Sequence, residues 1–232
     1  MFTELQRVCF EANLLLPRLG LVLYTFGNVS CVDRQKNVFA IKPSGVEYEK
    51  LTPEDIVIID IESGKKIAGS MRPSSDTNTH LELYRAWSQL GGIVHTHSTY
   101  ATAWAQAACP VPVFGTTHAD HLAQPIPCTD FMSDDRIRND YETETGFQII
   151  DCFNKQQLDP TEIQMALVAG HGPFTWGKDG NQAVYNARVL EELCQMALLT
   201  RQINPETPPL KVSLISKHYE RKHGKNAYYG QK

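Results

Sequence analysis

The chain has 232 residues, of which 42% are hydrophobic and 21% are charged, and its formal net charge is −4. These values are typical of a globular protein, and so mild a charge argues against binding to nucleic acid or to a membrane surface. No segment approaches the roughly 18 apolar residues that a membrane span needs, and residues 1–7 lack a signal-peptide pattern. Six widely spaced cysteines without a C-x-x-C pair favour reduced thiols, so we expect a cytoplasmic protein.

The first part of the chain predicts one helix followed by short strands. An amphipathic pattern predicts a helix from residue 3 to about residue 16, ending before Pro17. Apolar runs then predict strands at residues 21–24, 38–41 and 56–61, the last returning through residues 66–69 as a hairpin. Two polar stretches, at residues 25–28 and 42–45, follow apolar runs and are also typical of ordinary connections.

The remainder of the chain alternates helices with short strands. We expect helices at residues 77–87, at 99–108 with Ser98 as the N-cap, at 141–154, and at 181–202 with Asp179 near the start. Strands are expected at residues 93–97 and 167–169. With no internal repeat or linker, the pattern predicts one domain over residues 1–232, with α/β layers around a mixed or antiparallel sheet.

The sharpest local feature is the sequence His95-Thr96-His97. Residues i and i+2 of a strand point to the same face, so both imidazoles could converge on one metal ion. A catalytic zinc site needs a third protein ligand, and His171, flanked by glycines at a strand end, is the best candidate. His118 and His121 compete for that role, and packed or surface histidines are the simpler interpretation of an isolated H-x-H pattern.

A second feature is Ser74-Ser75-Asp76, directly before the helix at residues 77–87. Two hydroxyls at a helix N-terminus suit a phosphate group, although these residues are also ordinary helix caps. Lys42 follows an apolar run and could equally lie on a solvated edge. The basic stretch at residues 217–224 is most simply a solvated helix or tail.

Taken together, these segments resemble the L-ribulose-5-phosphate 4-epimerases of the class II aldolase family. The resemblance covers essentially the whole chain, and the terminal AYYG at residues 227–230 is similar to the epimerase branch in particular. The matching motifs, in chain order, are TFGNVS (25–30), IKPSGV (41–46), PSSDT (73–77), GGIVHTHS (91–98), GTTHAD (115–120), HGPF (171–174) and KHYERKHGKNAYYGQ (217–231).

The resemblance implies a fold, a metal and a set of site residues. The implied fold is a three-layer α/β/α sandwich around a largely antiparallel sheet, assembled as a homotetramer with sites at subunit interfaces. His95, His97 and His171 would bind Zn²⁺, or Mn²⁺ or another divalent ion, with Asp76 beside the metal. Asp120 and Tyr229 would be the acid/base pair, and Tyr229, with His218, would reach in from a neighbouring subunit. The implied phosphate cradle is Asn28, Ser44, Gly45, Ser74 and Ser75, with Lys42 close by.

The implied reaction interconverts L-ribulose 5-phosphate and D-xylulose 5-phosphate. The C4 hydrogen is not adjacent to the carbonyl, so a base alone gains no resonance by removing it. Cleaving the C3–C4 bond in a retro-aldol step, turning the aldehyde and re-forming the bond inverts C4 instead. One alternative is a sugar-phosphate aldolase, but Asp76 argues against it, because those enzymes use glutamate at the matching position. The other alternative is a non-catalytic module like the adducin head.

Phe26, His121 and Ala169-Gly170 depart from the usual family pattern beside the implied site. They leave the fine specificity open. The pathway, whether L-arabinose, L-ascorbate or related sugar-acid breakdown, is not fixed by these motifs.

Overall fold

In the computed structural model, residues 2–225 and 227–229 are described, and the strands within them form one seven-stranded sheet. The strand order is β4-β3-β2-β1-β5-β7-β6, and every neighbouring pair is antiparallel. This order places β5 between β1 and β7, both distant from it in sequence. The strands are β1 (Asn28–Asp33), β2 (Val38–Ile41), β3 (Val57–Asp60), β4 (Lys66–Ala68), β5 (Gly92–His95), β6 (Met165–Val168) and β7 (Gly172–Gly177).

Helices cover both faces of the sheet. They are α1 (Thr3–Arg18), α2 (Thr77–Ala86), α3 (Thr99–Gln106), α4 (Thr116–Ala119), α5 (Asp134–Asn139), α6 (Tyr141–Gln156), α7 (Gly180–Ile203) and α8 (Val212–His223), with a 3₁₀ turn at Pro53–Asp55. Among the described residues, no helix is long and apolar enough to cross a membrane.

The side chains of the strands alternate between two apolar cores, as the two-residue period of a strand requires. One core lies between the sheet and helices α1 and α7, and its strand residues include Val29, Cys31, Val38, Ala40, Ile58 and Val94. The other lies towards α2 and α6, and it includes Phe39, Ile41, Val57, Ile59, Ile93, Phe174 and Trp176. The three-layer α/β/α sandwich around an antiparallel sheet is therefore confirmed.

A buried asparagine on α1 fixes the start of β1. The Asn13 side chain is fully buried, and its amide donates to the carbonyl oxygens of Val29 at 2.9 Å and Cys9 at 2.8 Å. Its oxygen accepts from the Val29 N–H at 2.8 Å. Since each buried backbone group needs a partner, Asn13 acts as a local substitute for a strand neighbour.

Two glycines hold β5 against the start of α7. A Cβ on Gly91 would lie 1.8 Å from the carbonyl oxygen of Lys178, and one on Gly92 would lie 2.5 Å from the nitrogen of Gly180. No side chain fits at either position without moving backbone. This close approach determines where β5, which ends in His95, lies relative to α7.

Several expectations for the elements need correction. The strand predicted at residues 21–24 is wrong, because Tyr24 has a φ of +51° and turns the chain, leaving Leu23 exposed. The first helix continues through Pro17 to Arg18, and the Leu19 N–H closes its last turn on Leu15. Strands β1 and β7 were not predicted, since Gly27-Asn28 and Gly172-Pro173 have the composition of turns.

Candidate active site

A cavity of about 420 Å³ lies at the edge of the sheet where β1 and β7 begin and β2 and β5 end. Because neighbouring strands are antiparallel, these starts and ends meet at the same edge. The lining residues are Thr25, Phe26, Gly27, Asn28, Lys42, Pro43, Ser44, Gly45, Ser74, Ser75, Asp76, His95, His97, Tyr141, Glu142 and His171.

Three histidines converge on one wall of this cavity. One ligand nitrogen from each of His95, His97 and His171 lies within 4.8 Å of the others. The Nδ1 of His95 lies 3.0 Å from the carbonyl oxygen of Pro173. A carbonyl oxygen can only accept, so Nδ1 is the donor of this contact and Nε2 is the atom left for a metal.

The Nε2 atoms of His95 and His97 are 3.1 Å apart. Two ring nitrogens this close to each other can bind the same cation. Burial lowers the pKa of His97, and it lowers that of His171 to about 3, which keeps both rings neutral near pH 7. Neutral, convergent imidazoles with one ring held by a backbone carbonyl are the donor set that a divalent metal requires.

The register of three strands puts His95 in place. Asn28 of β1 and Phe174 of β7 are its direct neighbours across the sheet. The ring of Phe174 stacks on the His95 imidazole at a centroid distance of 4.2 Å. His171 stands before β7, after Gly170, whose φ of +73° favours glycine. His97 lies beyond the end of β5, whereas the sequence pattern placed it within the strand.

Asp76 lies beside the histidines, at the N-terminus of α2. Its Oδ2 accepts from the Asn28 amide at 2.7 Å. Burial raises the pKa of Asp76, but the nearby His95 and His80 rings and the Asn28 amide outweigh that effect and hold the pKa below its usual value. The carboxylate is therefore ionised near neutral pH. Its side chain makes no helix-cap hydrogen bond, although a cap was the simpler expectation for this motif.

A second wall of the cavity is built from two loops joined to each other. The Ser74 N–H donates to the Lys42 carbonyl at 3.1 Å, and the Ser44 N–H donates to the Arg72 carbonyl at 3.0 Å. The Asn28 amide also donates to the Ser74 hydroxyl at 3.1 Å. These contacts bring together the predicted phosphate-binding residues, with Ser75 and Gly45, around one part of the cavity.

Lys42 is a buried cation in this wall. It is 1% exposed, and burial lowers its pKa to about 8. Its ammonium contacts the carbonyl oxygens of Thr25 and Pro43, both at 3.4 Å, and no carboxylate of the described residues pairs with it. The alternative of a solvated edge lysine is excluded. An ammonium with only weak neutral partners is suited to an anion in the cavity.

Asp120, His218 and Tyr229 do not line the cavity. Asp120 follows α4, and its carboxylate contacts the His218 Nδ1 at 3.0 Å on α8. The guanidinium of Arg221 bonds to the same carboxylate, and its centre lies 4.6 Å from the centroid of the Tyr229 ring. Tyr229 is 58% exposed. The predicted site residues thus form two separate groups within one chain: the cavity group and an Asp120 cluster, which comprises Asp120, His218, Arg221 and Tyr229.

The competing metal ligands lie elsewhere. His118 is buried with its Nε2 3.1 Å from the Gln124 carbonyl, and the His121 ring lies 5.8 Å from that of Tyr185. Neither lines the cavity. In the C-terminal motif, Asn226, Gly230 and Gln231 fall outside the described residues, so only part of that motif can be placed.

Sequence reasoning missed several residues of these two groups. The Tyr141 hydroxyl lies 3.2 Å from Nδ1 of His171, at the start of α6, where it can fix the orientation of that ring. Glu142 lines the cavity beside it. No pattern around either residue differs from an ordinary helix start. Arg221 belonged to a stretch that was interpreted as a solvated tail, and its basic character was the available signal.

Solved structures share this architecture. An L-fuculose 1-phosphate aldolase superposes with a TM-score of 0.78 at 22% identity, covering 94% of this chain and 95% of that one. The L-fuculose 1-phosphate aldolase from Glaciozyma antarctica PI12 gives 0.75 at 19% identity, with 97% and 84% covered. YgbL from Klebsiella pneumoniae, whose assignment as an aldolase, epimerase or decarboxylase is open, gives 0.69 at 21% identity, with 92% and 97% covered.

Identities this low show a common fold and nothing finer about the reaction. The sequence also matches the model of the class II aldolase and adducin N-terminal domain over residues 7–198. That match spans most of the chain, including the cavity group and the predicted third metal ligand. The chain therefore belongs to the class II aldolase and adducin N-terminal domain family.

Proposed function

We propose that this protein is a metal-dependent 4-epimerase that interconverts L-ribulose 5-phosphate and D-xylulose 5-phosphate. The observation that carries the proposal is that one cavity is lined by two unlike groups of side chains. Three imidazoles converge in one group, and the other consists of serine hydroxyls with a buried lysine that pairs with no carboxylate of the described residues. A ligand with a carbonyl or diol at one end and a phosphate at the other matches these two groups.

His95, His97 and His171 would hold the metal. Zinc is the ion that three imidazoles suit best, and manganese or another divalent ion remains compatible with them. A bound divalent ion supplies Lewis-acid stabilisation of negative charge on substrate oxygens. Asp76, ionised and held by Asn28, would orient the substrate beside that position.

The wall built from these two loops would hold the phosphate. The Lys42 ammonium supplies charge, Ser44, Ser74 and Ser75 supply hydroxyls, and the backbone around Gly45 allows close approach. The wall is held by backbone contacts between its two loops, so its donors are positioned before the ligand arrives. Such a site would retain the cleaved aldehyde fragment while it turns its other face.

Proton transfer would come from the Asp120 cluster of a neighbouring subunit. An epimerase needs proton exchange at the C4 oxygen on both faces, and each such group typically contributes roughly 10²–10⁴-fold. Asp120 and Tyr229 are the candidates, yet neither lines the cavity of its own chain. Tyr229 is exposed and so available to another subunit. The arrangement therefore calls for a homo-oligomer, and the family resemblance suggests a tetramer.

A sugar-phosphate aldolase is the second candidate. The relatives that superpose on this chain include two proteins described as L-fuculose 1-phosphate aldolases. An aldolase would use the same two walls but release the aldehyde. Asp76 favours the epimerase, because its short side chain is held by Asn28 and reaches less far into the cavity than a glutamate would.

The deciding experiment follows the zinc-loaded protein with L-ribulose 5-phosphate by carbon NMR. We expect D-xylulose 5-phosphate to appear without accumulation of an aldehyde. Accumulation of glycolaldehyde phosphate with dihydroxyacetone would identify an aldolase and remove Tyr229 from the acid/base role. Absence of any reaction in a fully metallated oligomer would mean that the substrate is another compound.

A further inference from the structure

Tyr48 lies in the loop after β2, behind the wall of the cavity that is proposed to hold the phosphate. Neither the sequence motifs nor the cavity lining include it. It is 6% exposed, and it makes two kinds of contact with residues that do line the cavity. The ring lies against the ammonium of Lys42, with Nζ 4.8 Å from the ring centroid. The hydroxyl lies 3.0 Å from the carbonyl oxygen of Phe26 and 2.9 Å from that of Gly27.

The hydroxyl contacts fix the turn that leads into Asn28. Gly27 has a φ of +74°, and a Cβ there would lie 2.9 Å from the His95 carbonyl oxygen, so this turn is pressed against the end of β5. Burial raises the pKa of Tyr48, which keeps the phenol protonated and able to donate. One proton shared between the Phe26 and Gly27 carbonyls ties both residues to the loop that carries Tyr48.

The ring contact holds Lys42 without neutralising it. An aromatic face attracts an ammonium through the ring quadrupole and leaves its positive charge intact. A carboxylate in the same place would pair with the lysine and compete with an incoming anion. The remaining partners of Lys42 are two carbonyl oxygens at 3.4 Å, which are too distant to fix the ammonium strongly.

We propose that Tyr48 is a positioning residue for anion binding in this cavity, acting through two separable contacts. Its ring places the Lys42 ammonium, and its hydroxyl places the Phe26–Gly27 turn and hence Asn28. The inference rests on the proposed function only in taking the bound anion to be a phosphate. It predicts that removing the ring together with the hydroxyl costs more phosphate affinity than removing the hydroxyl alone.

The test compares Tyr48→Leu, Tyr48→Phe and the matched control Tyr24→Phe. Tyr24 lies in the neighbouring loop, is 85% exposed and does not line the cavity. The dissociation constant for inorganic phosphate is measured by titration calorimetry on each zinc-loaded protein, together with zinc content and thermal midpoint. We expect about a tenfold weakening for Tyr48→Leu and about threefold for Tyr48→Phe, with Tyr24→Phe unchanged.

A positioning role requires that the zinc content stay at the wild-type level in both Tyr48 variants. Wild-type phosphate affinity in a folded Tyr48→Leu protein would overturn the inference, as would absence of phosphate binding by the wild type. If Tyr48→Leu does not fold, Tyr48→Phe is the test. A phosphate affinity of Tyr48→Phe equal to that of the wild type would show that the hydroxyl has no positioning role. Phosphate binding with the expected order of losses, but without turnover of L-ribulose 5-phosphate, would reject the proposed reaction and keep this inference.

Discussion

The guanidinium of Arg221 donates two hydrogen bonds to the carboxylate of Asp120, from Nε at 3.0 Å and from Nη2 at 2.6 Å. Partial burial raises the pKa of Asp120, but Arg221 and His218 outweigh that effect and hold the pKa below its usual value. Asp120 thus enters any reaction as an ionised, oriented carboxylate. A base of that kind depends on the cation that holds it.

Replacing that cation should change the pH dependence of turnover. In Arg221→Met the pKa of Asp120 should rise, because the bidentate ion pair is lost. The acid side of the pH–rate profile should therefore move towards neutral pH. Arg138→Met is the matched control, since Arg138 pairs with Asp135 on the exposed surface. An unchanged acid limb in Arg221→Met would remove Asp120 from proton transfer.

Metal retention should separate the cavity histidines from the others. His97→Ala should lose bound zinc and turnover together, because two imidazoles cannot hold the ion as three do. His121→Ala should keep its zinc, since His121 does not line the cavity. Metal content after gel filtration, measured by mass spectrometry, checks both variants. Full metal content in His97→Ala would disprove the three-histidine centre.

Mixed oligomers should reveal which residues cross the subunit boundary. Because Asp120 and His218 contact each other within one chain, the Asp120 cluster should serve the neighbouring cavity as a unit. Mixing inactive His97→Ala and Asp120→Asn chains should then restore about a quarter of wild-type activity, since one in four subunit pairings has both halves intact.

Mixing Asp120→Asn with Tyr229→Phe chains should restore none, because every Asp120 cluster in the mixture would lack either Asp120 or Tyr229. The sequence alone placed only Tyr229 and His218 across the boundary, which predicts recovery in this second mixture. Recovery there, with subunit exchange confirmed by mass spectrometry, would assign Asp120 to the cavity of its own chain.

The helix that follows His97 is anchored from α7. The two carboxylate oxygens of Glu191 accept from the N–H groups of Tyr100 and Ala101, both at 2.9 Å, and Glu191 is 8% exposed. Ser98 occupies the N-cap position of α3 but makes no cap hydrogen bond, so the expectation that it caps the helix is corrected. Glu191 supplies that contact from the adjacent helix.

Glu191→Ala should lower the free energy of unfolding by about 1.5–3 kcal/mol, because buried N–H groups lose a charged acceptor. Glu192→Ala, next in sequence, should cost less than about 0.5 kcal/mol, since its pair with Arg188 is exposed. Urea unfolding of both variants measures the difference. Equal costs would show that α3 does not depend on the Glu191 contact.

Stability should fall in mild acid because of His118. Burial lowers its pKa from 6.5 to about 4, so the unfolded chain binds a proton at a higher pH than the folded protein does. The contribution of His118 to the free energy of unfolding is fully present above about pH 6.5. It is lost progressively as the pH falls to about 4. Between pH 7.5 and pH 5 the loss should be about 2 kcal/mol.

His118→Gln should remove this part of the pH dependence while keeping a donor for the Gln124 carbonyl. Urea unfolding of the zinc-loaded proteins at the two pH values measures it. A wild-type protein whose unfolding free energy changes no more than the variant's would contradict the role of His118.

Local patterns predicted the cavity because its chemistry is concentrated in short segments. The His95-Thr96-His97 and Ser74-Ser75-Asp76 motifs each carry several functional groups on adjacent residues, and the fold brings both to one edge of the sheet. The alternation of helices and strands predicted α/β layers, and the three-layer sandwich followed from the family resemblance. His118 and His121 competed with His171 for the third ligand position, and His171 was preferred because glycines flank it on both sides at a strand end.

Contacts between distant segments escaped prediction. The order of β1, β5 and β7 depends on long-range pairing, which no local pattern encodes. The Arg221–Asp120 pair joins residues 101 positions apart, and the Glu191 contact joins α7 to α3. Tyr48 was missed for the same reason, because its hydroxyl contacts the carbonyls of Phe26 and Gly27, more than 20 positions earlier in the chain. The sequence around Tyr48 resembles an ordinary surface turn.

The row formed by Asn28, His95 and Phe174 across three strands also bears on how such a protein can change its length. One residue inserted into β1, β5 or β7 would turn the following side chains to the opposite face and remove a member of the row. Insertions in the turn between β3 and β4, at the far edge of the sheet, would leave the row intact. Length variation in descendants of this chain should therefore gather at the β3–β4 hairpin and avoid the three central strands.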